Sequence, residues 1–448
     1  MSSRLERRLG LGDAVFIGLG SMIGAGVFAV FQPAAHIAGA GMLIGLVVAA
    51  IVAFCNASSS AQLAAQYPSA GGSYVYGREE LGPRWGFAAG WSFLIGKTAS
   101  SAAMAMVFAA YAVPSPWARL VAVAVVVVLV TVNLFGITRT ALLTKVIVIP
   151  VLALLVVVVA SGLLGGSWAV VPEYLQSWFS GGGEWRLSGT VSPGGESGSG
   201  SGGGSVGPLA VLQSAGLLFF AFAGYARIAT LGEEVRDPSK NIPRAIGIAF
   251  AVVVVIYAAI GVTALGALGA SGLAATDNPL VDVVTTNGWA WASPLVRIGA
   301  ALASLGALLA LIAGLGRTAF AMAREGDLPR WFSAVHPRFN TPYRAELVVG
   351  AVVVVLVLVA DLRGVIGFSS FGVLLYYFVA NLAAFRQARA YRRYPRAVSV
   401  LGALGCAVLV VTLPLPAVVT GVLVVVAGFV LRELRSRHVA RIDPKLEE

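Results

Sequence analysis

Apolar segments of about 20 residues recur along the chain, and an α-helix needs a segment of about that length to cross the hydrocarbon core of a bilayer. Only 11% of the 448 residues are charged and 58% are hydrophobic, whereas about 25% of residues are charged in soluble domains. We therefore predict an all-α polytopic membrane protein with about twelve transmembrane helices. The predicted segments lie near residues 12–36, 41–64, 85–112, 117–136, 141–165, 208–231, 242–268, 291–316, 345–360, 365–385, 397–413 and 415–431.

The net charge of +11 is distributed by membrane side rather than gathered into a surface for nucleic acid. With the N-terminus inside, the predicted outer segments contain Arg119, Arg186, Arg297 and Arg363, and the inner segments contain most of the other basic residues. Lysine and arginine accumulate in cytoplasmic loops. We therefore predict a multi-pass protein of the cell membrane, surrounded by lipid, with both termini in the cytoplasm and no nucleic-acid partner.

The first apolar segment contains four closely spaced glycines, Gly18, Gly20, Gly24 and Gly26, which predict a break in the helix. Irregular backbone at membrane depth persists only where protein or a water-filled cavity surrounds it. Free N–H groups of the half-helix beyond a break suit a carboxylate, and free carbonyls of the half-helix before it suit an ammonium. The break therefore predicts a site for a zwitterion, with a glycine-faced packing helix as the alternative.

The sixth apolar segment repeats this pattern, since small residues stand beside aromatic ones at 217–227. Two interrupted helices at matching places in two halves are the best sequence indication of a transporter binding site. We predict a first inverted repeat at 1–166, a Gly/Ser-rich extracellular loop at 167–207, a second repeat at 208–386, and two further helices with a cytoplasmic tail at 387–448.

Basic residues inside the predicted segments are candidates for coupling. Lys97 lies about 18 Å beyond Trp85, well inside the third segment. An ionisable residue at that depth is a functional hypothesis, here proton coupling, because no Asp or Glu lies deep in a predicted segment. A structural lysine held by backbone carbonyls is the alternative. Lys145 lies about one turn from Arg139, so its ammonium is expected to reach the inner interface. Asp13 is expected to cap the first helix.

The sequence does not predict an enzyme. It contains no nucleophile elbow, no phosphate-binding loop and no metal-ligand spacing, so neither a metal nor a cofactor is expected. Cys55 and Cys406 both fall inside predicted segments, where a thiol behaves as a small hydrophobic group.

Four motifs follow one another in a specific order and spacing: residues 24–28 (GAGVF), 67–74 (YPSAGGSY), 220–225 (FAFAGY), and 232–234 (GEE) with 241–244 (NIPR) after it. In these motifs the chain resembles the amino acid–polyamine–organocation superfamily of permeases. The resemblance implies five-plus-five inverted repeats with discontinuous helices 1 and 6 around the substrate, and two C-terminal helices.

The resemblance also implies roles for residues at the two breaks. The amides around Ala25 and Gly26 are expected to hold a substrate carboxylate. Carbonyls near Met22, Ile23, Phe220 and Ala223 are expected to hold its ammonium, and the Phe220 ring to cover it. The implied substrate-binding residues are Met22, Ile23, Gly24, Ala25, Gly26, Phe220, Phe222, Ala223 and Gly224, and the candidates for coupling or gating are Lys97, Tyr225, Arg227 and Lys145.

The chain departs from the family pattern in three places. Many members have serine where this chain has Ala25, so one hydroxyl contact to the carboxylate is missing. Some proton-coupled relatives have a buried lysine in span 5, but the aligned region near Pro150 has none and Lys145 lies about two turns earlier. Arg227 beside the second break argues against a cationic substrate, although it has Glu233 and Glu234 as possible partners.

The leading hypothesis is a secondary active transporter of a neutral amino acid that works by alternating access, with a proton as the coupling ion. An obligate amino acid exchanger, an amine or polyamine transporter, and an amino-acid-gated sensor or channel are the alternatives. The oligomeric state is not predicted.

Overall fold

The computed structural model describes residues 9–442 apart from short gaps and one long one. The gaps are residues 25, 69–70, 136–139, 174–175, 177–206 and 340, and only the backbone is described for 140–143 and 436–442. The predicted site residue Ala25 and most of the predicted loop at 167–207 therefore lie outside the described residues.

Helices make up almost all of the regular structure in the described ranges, where an isolated bridge between Leu9 and Val235 is the one β-type pairing. Several helices have proline in their first turn, where its missing N–H needs no partner. The helices are α1 (Leu11–Ile23), α2 (Gly26–Ala29), α3 (Phe31–Ala38), α4 (Met42–Gln66), α5 (Ser73–Leu81), α6 (Pro83–Ala112), α7 (Ser115–Leu134), α8 (Thr140–Leu164), α9 (Pro208–Phe222), α10 (Ala226–Ala229), α11 (Pro238–Ala275), α12 (Pro279–Thr286), α13 (Ser293–Arg324), α14 (Tyr343–Val359), α15 (Leu362–Arg386), α16 (Arg396–Thr412) and α17 (Leu415–Ile442).

Each of the predicted apolar segments coincides with one helix or with two or three successive helices. In the described part of the chain, ten segments are long and apolar enough to cross a membrane. The ninth and eleventh predicted segments correspond to α14 and α16, which have 17 residues each. The prediction of an all-α polytopic membrane protein is confirmed.

Both predicted helix breaks are present. The first helix ends at Ile23, Gly24 has the non-helical angles φ −25° and ψ −122°, and the chain is helical again from Gly26. In the sixth segment α9 ends at Phe222, and a 3₁₀ turn over Ala223–Tyr225 leads into α10. Two halves of each helix thus meet inside the protein.

The two broken segments lie at the centre of the helical assembly. Of an 18-residue apolar stretch within Pro208–Ala229, the sixth segment, 78% is buried, whereas the value for a stretch of the same length within Leu415–Arg435, in the last helix, is 17%. The first helix packs against α8, α11 and the 3₁₀ turn of the second break. Irregular backbone is therefore surrounded by protein, as the hydrocarbon environment requires.

The segment after α4 packs against α15 and against the chain that follows α10. Tyr376 on α15 accepts a hydrogen bond at its hydroxyl from the Ser73 amide, 3.2 Å away. Gly72 has φ +52°, and a Cβ there would lie 3.0 Å from the same hydroxyl. Gly232, directly after the second break, lies against the Pro68 backbone. This loop therefore holds α10 from one side.

An ionic cluster joins α5 to the residues that follow α13 and to α17. The buried Asp327 carboxylate accepts hydrogen bonds from the Tyr74 hydroxyl at 2.8 Å and from Arg432 Nε at 2.7 Å. Arg78 pairs with Glu325 at 3.1 Å. Burial and the carboxylate of Asp327 raise the pKa of the Tyr74 hydroxyl, so this hydroxyl stays protonated and donates.

Replacing Gly224 by alanine is expected to destabilise the protein. The added Cβ would lie 2.5 Å from the Met22 amide nitrogen and closer still to the Ser21 carbonyl, and backbone atoms cannot rotate away. Overpacking of this kind costs about 1–3 kcal/mol. The measurement is the midpoint of thermal unfolding of the purified protein in detergent. Gly247→Ala on α11 is the matched control, because a Cβ there meets no atom within 4 Å, and equal midpoints for the two variants would contradict the prediction.

Candidate functional site

The backbones of the two broken helices touch each other at their glycines. Gly224 lies against Ser21 and Met22 of α1, and a Cβ on Gly26 would lie 2.8 Å from Ala221 Cα. The close approach therefore requires residues without a side chain at both breaks. The end of one half-helix and the start of another are brought together in one place, as the sequence predicts.

Tyr257 on α11 links the two breaks through its hydroxyl. The oxygen lies 2.5 Å from the Met22 carbonyl oxygen and 3.1 Å from the Ala221 carbonyl oxygen. The side chain is fully buried, and its ring packs against that of Phe222 with the ring centroids 5.1 Å apart. Because a hydroxyl has one proton, it donates to one of these carbonyls at a time. The other carbonyl then lacks this donor.

Lys97 and Tyr377 converge on the Ala223 carbonyl, in the turn that interrupts the second broken helix. The Lys97 ammonium donates to this oxygen at 3.0 Å, and the Tyr377 hydroxyl donates at 3.3 Å. Lys97 is 7% exposed and comes from α6, while Tyr377 comes from α15. Three separate helices therefore supply the donors that hold the carbonyls of the breaks.

Two cavities approach the first break from opposite ends. One of ≈60 Å³ lies between α1, α8 and α13 and is lined by Ser21, Gly24, Arg227 and Glu234, among others. The second, of ≈220 Å³, is lined by Phe28, Gln32, Tyr111, Asp277 and Arg363.

Gly24 lines the smaller cavity and Phe28 lines the larger one. Gly24 packs on α13, where a Cβ would lie 2.6 Å from Ala307 Cβ. Phe28 packs edge to face on Tyr111, whose hydroxyl donates to the Phe28 carbonyl at 3.3 Å.

The predicted substrate-binding residues all lie at the breaks where they are described. Met22 and Ala223 present carbonyls that accept the hydrogen bonds given above, and the Phe220 carbonyl accepts one from the Ala223 amide. Ile23 and Gly24 line the smaller cavity. Ala25 lies outside the described residues.

Lys145 and Tyr225 occupy different surroundings, although both were candidates for coupling or gating. Lys145 Nζ pairs with the Asp13 carboxylate at 2.5 Å, and Asp13 also accepts a hydrogen bond from the Gly10 amide at 2.8 Å. The expected capping role of Asp13 is therefore confirmed, and Lys145 joins α8 to the start of α1. The Tyr225 ring packs against the Tyr377 ring, with centroids 4.9 Å apart.

Arg227 lines the smaller cavity and its guanidinium lies 3.5 Å from the Thr230 hydroxyl oxygen. Glu234 lines the same cavity. A positive and a negative side chain therefore line the same cavity as Gly24 of the first break.

Sequence analysis missed three residues that matter here. Tyr257 stands alone in an apolar helix, and nothing in the sequence distinguishes its hydroxyl as a donor to both breaks. Tyr377 stands between Tyr376 and Phe378, and the sequence does not distinguish its hydroxyl from the aromatic residues that pack helices. Glu346 lies in the first turn of α14, yet it is 3% exposed and packs on Gly316, so a buried carboxyl does exist in a predicted span.

Comparison with known proteins decides the family. The family model for amino acid permeases matches residues 9–431, which include both helix breaks. The chain belongs to the amino acid permease family. The resemblance to the amino acid–polyamine–organocation superfamily is therefore confirmed, and the protein is a transporter of amino acids rather than an enzyme.

Relatives of this permease are named for different amino acid substrates, or for none. An uncharacterized transporter of Mycobacterium tuberculosis is 50% identical over 442 residues, which cover 98% of this chain and 94% of the relative. The branched-chain amino acid permease of Bacillus subtilis is 25% identical, with 98% and 95% covered. The chloroplastic cationic amino acid transporter 7 of Arabidopsis thaliana is 27% identical, with 86% and 66% covered.

Replacing Tyr257 by phenylalanine is expected to lower the stability of the permease. The substitution leaves the buried carbonyls of Met22 and Ala221 without this donor, and an unsatisfied buried group costs about 1–3 kcal/mol. Thermal unfolding in detergent measures the effect. Tyr391→Phe removes a hydroxyl from a side chain that is 56% exposed and serves as the control. A Tyr257 variant as stable as this control would show that the hydroxyl is dispensable.

Proposed function

We propose that this permease is a secondary active transporter of neutral amino acids, which bind between the two helix breaks and cross the cell membrane by alternating access. The observation that carries the proposal is the meeting of two interrupted helices at one cluster of carbonyls with a cavity toward each end. Discontinuous helices at the repeat interface are the usual binding site of secondary transporters. Both termini lie in the cytoplasm in this proposal, in accordance with the distribution of arginine.

The substrate is a zwitterion in this proposal. Its carboxylate binds the amides of the half-helix that begins after Gly24, where the helix dipole is positive. Its ammonium binds carbonyls of Met22, Ile23, Phe220 or Ala223. Tyr257 and Lys97 already donate to two of these carbonyls, so the arriving ammonium shares or replaces these protein donors.

Proton coupling through Lys97 is part of the proposal, because this buried ammonium contacts the carbonyl at the second break directly. Titration of Lys97 between states that face opposite sides would link proton and substrate movement through differential affinity. An obligate exchanger is the second candidate, and it requires no protonatable residue. The two repeats proposed at 1–166 and 208–386 would move relative to each other in either mechanism.

Uptake into liposomes tests the proposal. Vesicles that contain the purified permease, empty or preloaded with amino acids, are given a mixture of labelled amino acids with and without an inward proton gradient. Accumulation in empty vesicles that depends on the gradient is expected. Uptake only into preloaded vesicles would favour the exchanger, and no uptake of any amino acid in any condition would contradict transport through this site. Electrical currents far above transporter turnover would indicate a channel.

Replacement of Lys97 by methionine tests the coupling step. Because methionine cannot carry a proton, we expect gradient-driven accumulation to be lost while counterflow between two equal amino acid pools continues. The measurement compares both modes in the same vesicle preparation. Proton-driven uptake that is unchanged in the variant would remove Lys97 from the coupling mechanism.

A further inference from the structure

Lys97 places a positive charge at the second break that no described carboxylate neutralises. Its Nζ is held by the Ala223 carbonyl at 3.0 Å, and among the described residues the ion pairs within 4.0 Å involve other cations. An ammonium has three donors, and this carbonyl takes one of them. A buried cation with donors to spare is available to act on whatever occupies the neighbouring space.

The backbone that carries Lys97 is fixed in position. Gly96 and Gly372 bring α6 and α15 into direct backbone contact, since a Cβ on Gly372 would lie 2.7 Å from Gly96 Cα. One turn further along α6, the Ser100 and Ser369 hydroxyl oxygens lie 2.6 Å apart. These contacts hold α6 against α15, whose Tyr377 hydroxyl donates to the same Ala223 carbonyl, so both donors are held together beside the second break.

Net charge distinguishes the amino acids that meet this lysine. A neutral amino acid is a zwitterion and adds no net charge to the site, whereas an amino acid with a cationic side chain adds a second positive charge to that of Lys97. Like charges repel strongly where water is excluded. Arg227 adds a further positive charge along the cavity that leads to the break, with Glu234 beside it.

We propose that Lys97 is a specificity-determining residue, which excludes amino acids with cationic side chains from the site between the two breaks. This inference rests on the proposed function, since it requires that amino acids bind there.

Competition with pairs of amino acids of similar size and different charge tests the proposal. The pairs are asparagine with diaminobutyrate, glutamine with ornithine, and citrulline with arginine. Each compound competes with the labelled amino acid that the liposomes take up best. For every pair that fits the site, the uncharged member is expected to compete at least about tenfold better than the cationic member, which is about 1.4 kcal/mol.

Variants of Lys97 assign this preference to its charge. In Lys97→Met the ratio within a pair is expected to fall below about threefold, and in Lys97→Glu the cationic member is expected to compete better, because the sign of the local charge is reversed. Lys97→Arg keeps the charge and is expected to keep the preference. Lys145→Met is the matched control, since that lysine also lies in an apolar helix but is paired with Asp13, and it is expected to keep the wild-type ratio.

Failure of this proposal differs from failure of the proposed function. Equal competition by the charged and uncharged members in the wild-type protein would overturn the proposed exclusion of cationic side chains. This measurement uses the wild-type protein alone, so it does not depend on whether a variant folds. A wild-type ratio that persists in Lys97→Met and Lys97→Glu would overturn the role of Lys97. Absence of uptake for all amino acids would instead overturn the proposed function.

Discussion

Backbone carbonyls at a helix break have no partner in their own helix, and in a membrane no water reaches them unless a cavity provides it. The rest of this structure is arranged around that constraint. Tyr257, Tyr377 and Lys97 extend from three different helices to the carbonyls of Met22, Ala221 and Ala223. The breaks are therefore stable because neighbouring helices supply the missing donors, and those helices are held in register by the same contacts.

These donors also define what a ligand meets at the site. The net contribution of one hydrogen bond to stability is about 1 kcal/mol. Two like charges about 4 Å apart repel by about 4 kcal/mol at an effective dielectric constant of 20. An ammonium that exchanges one donor for another at the Ala223 carbonyl therefore changes the free energy of binding little. An additional cationic side chain near Lys97 would change it much more, and this difference is the physical basis of the proposed preference for uncharged side chains.

The sequence was sufficient to predict the architecture and the position of the breaks, because length of apolar segments and glycine content act locally. Local sequence therefore predicted the breaks at Gly24 and Gly224, and it also predicted the depth of Lys97. Local sequence does not predict the donors to the carbonyls, since Tyr257 is 235 residues from Met22 in the chain and Lys97 is 126 residues from Ala223. In a helix that is apolar on all sides, periodicity does not indicate which face meets which neighbour. The pairing of Lys145 with Asp13 was unpredictable for the same reason.

This pairing also constrains how the smaller cavity opens. Lys145 on α8 and Asp13 at the start of α1 are joined by a salt bridge, and the two helices line one side of the cavity together. Displacement of α1 alone would separate two charges in a partly buried place, whereas joint displacement of α1 and α8 keeps them paired. The opposite wall is α13, which meets α1 at Gly24 through Ala307 and carries no charge there. The described contact between α1 and α13 at Gly24 is apolar, so separation of the two helices there would break no ion pair.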